Sequence, residues 1–468
     1  MIKKVKLLII YPKISDKKKS RMDTLLFNET QLPLGVYYLA GYVKSKGFEV
    51  DVLDANAMNL SNEEIIKYMV DNKFNVLGIS ATTVSFNRSL KLAREVKEMD
   101  PDFPVIIGGS HISSNQSTTM ERKAFDYGVV GEGEETLAEL LDCLQSCKPL
   151  KGVKGVIYRE NGEIVTNPKR EHIKDINTIP FPAYELVRDF RLYRSSIFAA
   201  KKLPNSGIIT MRGCPNACTY CDNTVFGHKI RFRSPENIAD EIELLVKKYG
   251  IKEISFMDDT FTTKRDLVYQ TFEILNKRNI KIPWTCVTRV DFVDKELLEF
   301  MKNNGCWMIS VGIESGEPAI LKELRKNISL NDARNVIEMA NKIGIKTNGF
   351  FMIGHPNETI ESIEKTIEFA TKSKLDYISL SYNTPFNGTK QSMDIGKYGK
   401  VIDTNWDNYD LSTPVFVPAA LTRETLVEKY EEFQKRFNSR PIRVLKNVFC
   451  MVSHMKMIYQ NFTRRKIH

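Results

Sequence analysis

The sequence predicts two successive α/β folds: a doubly wound five-stranded parallel sheet over residues 1–150 and an open (β/α)6 barrel over residues 201–400. A hairpin and linker over residues 151–200 join them, and a helical region over 401–468 follows. Three observations carry this. Short β-branched runs alternate with amphipathic helical stretches, first five times and then six. The segments between them are long enough for crossover helices, so the strands are parallel. Small and polar residues gather just after the strand runs, the edge of such sheets where ligands bind.

In the first unit, Lys4–Ile10 is a strand, Leu34–Lys46 an amphipathic helix stopped by Gly47, and Glu49–Asp54 the second strand. Ser61 followed by Glu64 is a capping-box signature that opens the next helix. Strand Val76–Ser80, helix Ser85–Met99, strands Val105–Gly108 and Gly128–Val130, and a helix from Glu134 to Cys147 complete it. Val156–Val165 reads as a hairpin with Asn161–Gly162 at its turn, and Ile179–Pro180–Phe181–Pro182 as a rigid extended linker.

In the second unit the strands are Ile208–Met211, Glu253–Asp258, Trp284–Thr288, Met308–Ile313, Lys346–Ile353 and Tyr377–Asn383. Helices Ser234–Tyr249, Lys264–Arg278, Asp294–Asn304, Leu330–Lys342 and Thr359–Ser373 lie between them, with Ser234 as a cap before Pro235. Thr422–Arg436 is a further charged helix. Beyond Pro441, Val444, Val448, Met451, Met455, Ile458 and Phe462 form one apolar stripe on a basic helix. Such a helix either packs on its own domain or lies at an anionic membrane face.

The chain is 42% hydrophobic and 27% charged, ordinary for a globular protein with large cores. The apolar run Leu7–Ile10 is too short for a secretory signal, and no stretch approaches a membrane span. Eight cysteines, three of them in one loop, do not suggest a disulfide framework, so a reducing cytoplasm is the expected compartment. The net charge is +10, and from Lys435 onward there are nine basic residues and no Asp or Glu. The body is therefore nearly neutral, and no nucleic acid partner is expected.

Cys214, Cys218 and Cys221 stand at C-x3-C-x2-C spacing just after the first strand of the second unit. Three thiolates leave a tetrahedral zinc site one ligand short, so zinc needs a distant fourth ligand. Three thiolates hold a [4Fe–4S] cluster with one iron open. The run Arg212–Gly213–Cys214–Pro215–Asn216–Ala217–Cys218–Thr219–Tyr220–Cys221 resembles the signature of radical S-adenosylmethionine (SAM) enzymes. The resemblance implies that the open iron chelates SAM, that an external electron donor drives its cleavage to a 5′-deoxyadenosyl radical, and that Tyr220 packs near the adenine.

The first unit resembles the cobalamin-binding domain that precedes many radical SAM domains, through Leu32–Pro33–Leu34–Gly35, Gly108–Gly109–Ser110–His111 and Gly131–Glu132–Gly133–Glu134. The cobalamin contacts so implied are Ser80, Thr82, Thr83, Gly108, Gly109, His111, Gly131, Glu132, Gly133 and Glu134. The D-x-H-x-x-G that supplies a lower cobalt ligand in methionine synthase-type domains is missing: the loop Tyr11 to Ser20 has no His and no Gly. His111 is the substitute to consider, with packing against the corrin the preferred role.

The same resemblance places Asp258 and Asp259 at the SAM amino group, Glu314 and Ser315 at the ribose or methionine end, Arg289 near the methionine carboxylate, and Ile353–Gly354 by the adenine. Cys286 and Cys306 read as inert core thiols, or as a hydrogen donor in the barrel. The stretch from Phe433 to Pro441 resembles the tail of the class containing the anaerobic magnesium-protoporphyrin cyclase, several of whose members act on lipids or hydrophobic pigments. The expected function is a cobalamin-dependent C-methyltransferase acting on an unactivated carbon through the adenosyl radical and methylcobalamin, with a small-molecule or lipid substrate. The alternative is a cobalamin-binding radical oxidoreductase or cyclase that transfers no methyl. A non-catalytic binding module conflicts with the intact cysteine loop. A methylthiotransferase needs a second cluster site, and residues 1–142 contain no cysteine.

Overall fold

The computed structural model describes residues 4–15, 30–193 and 200–440; the basic stripe from Val444 to Phe462 lies outside them. The first sheet contains β1 (Lys6–Tyr11), β2 (Glu49–Asp54), β3 (Val76–Ser80), β4 (Val105–Gly108), β5 (Tyr127–Val129), β6 (Val156–Glu160) and β7 (Glu163–Thr166). Its order is β2-β1-β3-β4-β5-β6-β7. The first five are parallel, as predicted. The hairpin assigned to the connector is instead the antiparallel edge of this sheet, with Val156 against Val129 and Tyr158 against Tyr127. Val156, Ile157 and Tyr158 are buried, so the strand gains a packing face as well as a ladder.

Ser61 forms the predicted capping box: its hydroxyl accepts from Glu64 N at 3.2 Å, while the Glu64 carboxylate accepts from Ser61 N at 2.7 Å. The linker is stitched down as well. Ala183 N donates to Tyr37 O at 2.9 Å, and a Cβ on Gly41 would stand 2.6 Å from Phe181 O. Tyr184 OH reaches Glu241 Oε1 at 2.6 Å on the first barrel helix, Pro235–Tyr249.

The second sheet holds β8 (Asn205–Ile208), and, after a two-stranded ladder of β9 (Met211–Arg212) with β10 (Arg231–Phe232), β11 (Glu253–Phe256), β12 (Trp284–Thr288), β13 (Cys306–Glu314), β14 (Lys346–Ile353) and β15 (Tyr377–Tyr382). Its order, β15-β14-β13-β12-β11-β8, is all parallel, the expected open (β/α)6 arrangement. Some boundaries shift: β11 stops at Phe256, short of Asp258, and β13 is longer at both ends than Met308–Ile313. The strand read as Ile208–Met211 is β8 and then β9, because Thr210 N and Met211 N donate to the Asp258 carboxylate at 2.7 and 2.9 Å and leave the sheet.

A small hairpin of β16 (Gly399–Val401) and β17 (Phe416–Pro418) precedes helix Arg423–Asn438. One continuous apolar core runs from Leu7 and Val36 through Ile208 and Trp284 to Phe437, so the two sheets are packed as one body. Among the described residues no helix is long and apolar enough to cross a membrane.

Candidate active site

The cysteine loop hangs from the β9–β10 ladder. Gly213, at φ +91°, makes the exit turn, and a Cβ there would strike Lys229 O. Cys214 N donates to Gly227 O at 3.2 Å and Cys221 N to Cys218 O at 3.2 Å. From outside, Thr219 N donates to Leu324 O at 3.0 Å, and Thr219 O accepts from Gln391 N at 2.8 Å. Enclosure, then Asp259 and the other two thiols, push the Cys221 thiol up to about 12. Burial also raises Cys218, partly offset by Lys326 and Arg289. Burial, Asp259 and the neighbouring thiols oppose the ionisation of Cys221, so a thiolate there needs a compensating cation. The donor set thus fits an iron–sulfur cluster. Among the described residues no group of three Cys, His, Asp or Glu side chains is arranged to hold a single ion.

Around this loop the barrel strands end in charge. Glu314 sits at φ +69°, just past a register shift after Gly312, a strained position for a residue with a side chain. Its Oε1 pairs with Lys326 Nζ at 2.8 Å, both side chains being buried. Lys326 Nζ also lies 3.4 Å from Tyr220 OH. Arg289 forks onto Asp291 at 2.9 Å through each arm and donates to Lys326 O at 3.1 Å. Sequence reading missed Lys326. It stands between two left-handed residues, Arg325 and Asn327, in a loop with no motif.

Other predicted residues have different partners. Asp258 is buried and spends both oxygens on Thr210 and Met211, the Thr210 hydroxyl at 2.7 Å included; it anchors the loop's entry strand. Burial pushes its carboxyl up to about 6 despite those bonds. Asp259 alone of the pair is exposed at the mouth. Ser315 is sealed against helix Ile360–Lys372, 3.2 Å from Thr366 Oγ1. Ile353 is buried, and Gly354, at φ +85°, donates from its N–H to Glu358. Burial pushes the Glu358 carboxyl up to about 8. Cys286 and Cys306 are core thiols, 2% and 1% exposed.

Opposite the cysteine loop lie the ends of β3, β4 and β5, three neighbouring strands. Ser80 is half-buried at the end of β3, and a Cβ on Gly131 would find nothing within 4 Å. Gly109, at φ +98°, lets its loop close on Ala81 O, 2.5 Å from where a Cβ would stand. Thr82 caps the short turn that begins at Thr83.

His111 does not face that opening. It is 1% exposed, 3.2 Å from Thr83 Oγ1, stacked on Phe86 at 4.0 Å between ring centroids and edge-on to Trp406 at 5.5 Å. Burial pushes it down to about 4, so it is neutral. Trp406 comes from a C-terminal segment that also reaches Asn87 and Arg88 through Asn405 and Asp407.

Glu132 and Glu134, named by the resemblance for cobalamin, form a buried seam between the domains. Glu132 takes Arg231 Nη1 at 2.7 Å and Arg212 Nη1 at 3.0 Å, and Glu134 takes Arg212 Nη2 at 2.5 Å. All four side chains are buried. Burial opposes the charge on Glu132, yet Arg231 and Arg212 lower its pKa overall. Both arginines belong to the ladder that carries the cysteine loop. Gly133 opens the following helix, and a Cβ there would stand 3.0 Å from Leu39 Cδ2. Beyond the cysteines, Ser114 Oγ donates to Asp222 Oδ2 at 2.5 Å and Asn387 Nδ2 to Asn115 Oδ1 at 2.5 Å. The segment after β4 is thereby tied to the stretch that follows the cysteines.

Comparison with known proteins agrees with this geometry. Residues 208–370 match the radical SAM superfamily and residues 27–141 the B12 binding domain. The chain is 32% identical to the uncharacterized methyltransferase PH0819 of Pyrococcus horikoshii, over 96% of this chain and 95% of that protein. It is 26% identical to the anaerobic magnesium-protoporphyrin IX monomethyl ester cyclase of Rubrivivax gelatinosus, over 86% and 73% of the two chains. Among solved structures it resembles the radical S-adenosylmethionine methyltransferase TsrM of Kitasatospora setae, determined with cobalamin and a [4Fe-4S] cluster bound, at a TM-score of 0.70 and 17% identity, covering 92% of this chain and 91% of that one. The cysteine loop, the cobalamin-type sheet opposite it and these matches together place the chain in the radical SAM superfamily, in the branch that carries a B12 binding domain.

Proposed function

We propose that the protein is a cobalamin-dependent radical SAM C-methyltransferase acting on an unactivated carbon of a small molecule. One observation supports the reading: the buried Arg212–Glu132–Arg231 ion pairs tie the segment after β5 to the ladder that carries the three-cysteine loop. When bound, the cluster and SAM would supply hydrogen-atom abstraction, and cobalamin a methyl group.

The chain's own part is to position these reactants and exclude water. Cys214, Cys218 and Cys221 would hold the cluster, and Tyr220 would pack beside the adenine. Asp259, exposed and next to Cys221, would take the SAM ammonium; Arg289 would meet the methionine carboxylate, and the Glu314–Lys326 pair the ribose. Gly354 would let the adenine approach the backbone. Ser80, Thr82, Thr83, Gly108, Gly109 and Gly131 would form the corrin lip. Asp258, Ser315, Glu132 and Glu134 act at one remove, by fixing the segments that carry these groups. His111, held neutral in an aromatic stack, serves packing rather than cobalt. An external electron donor is required. A hydrophobic substrate presented at a membrane face through the basic C-terminal stripe also belongs to the proposal, on the sequence pattern.

The similarity to the cyclases favours, as second reading, radical chemistry without methyl transfer. The deciding experiment quantifies 5′-deoxyadenosine and S-adenosylhomocysteine together, from anaerobically reconstituted protein given SAM, reductant and cobalamin. Both products are expected, the second vanishing without cobalamin. Deoxyadenosine alone supports the cyclase-like reading.

A further inference from the structure

The three cysteines of the loop have different neighbours. Cys214 Sγ accepts from the Asn216 amide, Nδ2, at 3.4 Å. Cys218 has two cations beside it, Lys326 and Arg289, along with Glu314. Cys221 has only carboxylates and the other thiols: Asp259 and, next in the chain, Asp222. Asp259 is exposed, where an incoming ammonium can neutralise it. Asp222 is engaged on both oxygens already. Its Oδ1 accepts from Thr224 N at 2.8 Å, and its Oδ2 accepts from the Ser114 hydroxyl at 2.5 Å. Ser114 Oγ lies 3.1 Å from Thr224 Oγ1 as well.

Three segments meet at this carboxylate. Ser114 ends the short helix Ser110–Ser114 of the first domain. Asp222 and Thr224 follow the last cysteine. Gly388, at φ +89°, comes from the loop after β15, and a Cβ there would stand 2.9 Å from Ser114 Oγ and 3.1 Å from Asp222 Oδ1. The side chain is therefore held in one place, and it is held by neutral donors. Glu132 pairs with Arg231 and Arg212, and Glu314 with Lys326. Among the described residues no lysine, arginine or histidine forms an ion pair with Asp222. A hydroxyl and an N–H spread a carboxylate's charge without cancelling it.

We propose that Asp222 is a positioning residue that fixes a negative charge beside the cluster and so makes the reduced cluster a stronger reductant, and that Ser114 of the first domain tempers this charge. This rests on the assignment of Cys214, Cys218 and Cys221 to a [4Fe–4S] cluster, and adds the residue that tunes it. An added electron makes a cluster more negative, so an anion held nearby disfavours the reduced form and lowers the potential. The reductive cleavage of SAM takes that electron, and a lower potential favours its transfer. The Ser114 hydroxyl draws charge away from the cysteine side of the carboxylate, which acts in the opposite direction. The reducing power of the loop thus depends on a contact 108 residues away, made across the two domains.

The test is a redox titration of the full chain, its cluster reconstituted anaerobically and neither SAM nor cobalamin added, with the reduced cluster read by electron paramagnetic resonance. Asp222→Asn leaves a neutral acceptor in the same place and is expected to raise the midpoint potential by about 60 mV, a ten-fold shift in the reduction equilibrium. Asp222→Glu restores the charge and is expected to lie nearer the unaltered protein than Asp222→Asn does. Ser114→Ala is expected to lower the potential, by less. A purely structural role would move Asp222→Asn and Ser114→Ala the same way, since both weaken one hydrogen bond. Shifts of the same sign in those two, or an unshifted Asp222→Asn, overturn the proposal. If Asp222→Asn fails to keep its cluster, Ser114→Ala decides: a lower potential supports the proposal, and an unchanged or higher one overturns it. Iron-loaded protein that shows no reduced [4Fe–4S] signal, altered or not, overturns the cluster assignment beneath it.

Discussion

The two strand-end rims that face each other use charge in opposite ways. On the first sheet, the charged residues of the rim, Glu132 and Glu134, turn away from the opening into a buried seam, and what remains at the lip is glycine and hydroxyl. On the barrel, Asp259, Arg289, Glu314 and Lys326 stay at the mouth, beside the cysteines. A corrin is broad and needs low walls; SAM is zwitterionic and needs fixed charges. The contrast teaches that a carboxylate at a strand end is withdrawn into the fold when an arginine of the neighbouring domain claims it.

The largest expected effect breaks the seam. Glu132→Gln leaves Arg231 and Arg212 buried with one carboxylate between them, and losing one partner of a buried charge network costs about 3–5 kcal/mol. Because both arginines carry the cysteine-loop ladder, the variant is expected to melt earlier and to retain less iron per chain after desalting. Calorimetry and iron assay check the two. Unchanged iron retention would mean that the seam joins the domains without holding the loop.

The next effect separates the rims by pH. His111 has a pKa of about 4 in the fold, below its ordinary 6.5, because burial disfavours its charged form. Its contribution is fully present above pH 6.5 and is lost as pH falls from there through 4, at most roughly 3 kcal/mol. Glu358 is the reverse: burial lifts it from 4.5 to about 8, so its contribution is present below 4.5 and lost as pH rises through 8. Urea unfolding across pH should show His111→Asn flattening the acid limb and Glu358→Gln flattening the alkaline limb. His355, also pushed down to about 4 by burial, keeps part of the acid slope in His111→Asn.

What was legible in the sequence was what is local. The cysteine spacing, the Ser61–Glu64 box, the Ser234 cap and the alternation of strands and helices each lie within a few residues, and the structure reproduces them. The partners of a strand-end carboxylate are not local. Thr210 lies 48 residues from Asp258, Arg231 lies 99 from Glu132, and Lys326 lies 106 from Tyr220. Resemblance points to the loops at these strand ends. It could not tell which side chain of a rim faces inward, since that depends on arginines and hydroxyls supplied by other elements. The hairpin was placed outside the first sheet for the same reason: its pairing with β5 leaves no mark in its own residues.

The smallest effects sharpen the comparison within a single dipeptide. Asp258→Asn keeps one carbonyl for the N–H groups of Thr210 and Met211 but turns an amide N–H toward the rest, a loss of about 2 kcal/mol. It should lower the melting temperature and, by loosening the entry to the cysteine loop, disturb the cluster's absorbance. Asp259→Asn touches no structural partner. It should leave melting and absorbance as they are and weaken SAM binding about ten-fold, the loss of one charge-assisted hydrogen bond of about 1.4 kcal/mol. Isothermal titration of SAM into the cluster-loaded protein reads the second, and unfolding the first. If the two variants exchanged these signatures, the adjacent carboxylates would have to exchange roles, with Asp258 released from Thr210 when SAM arrives.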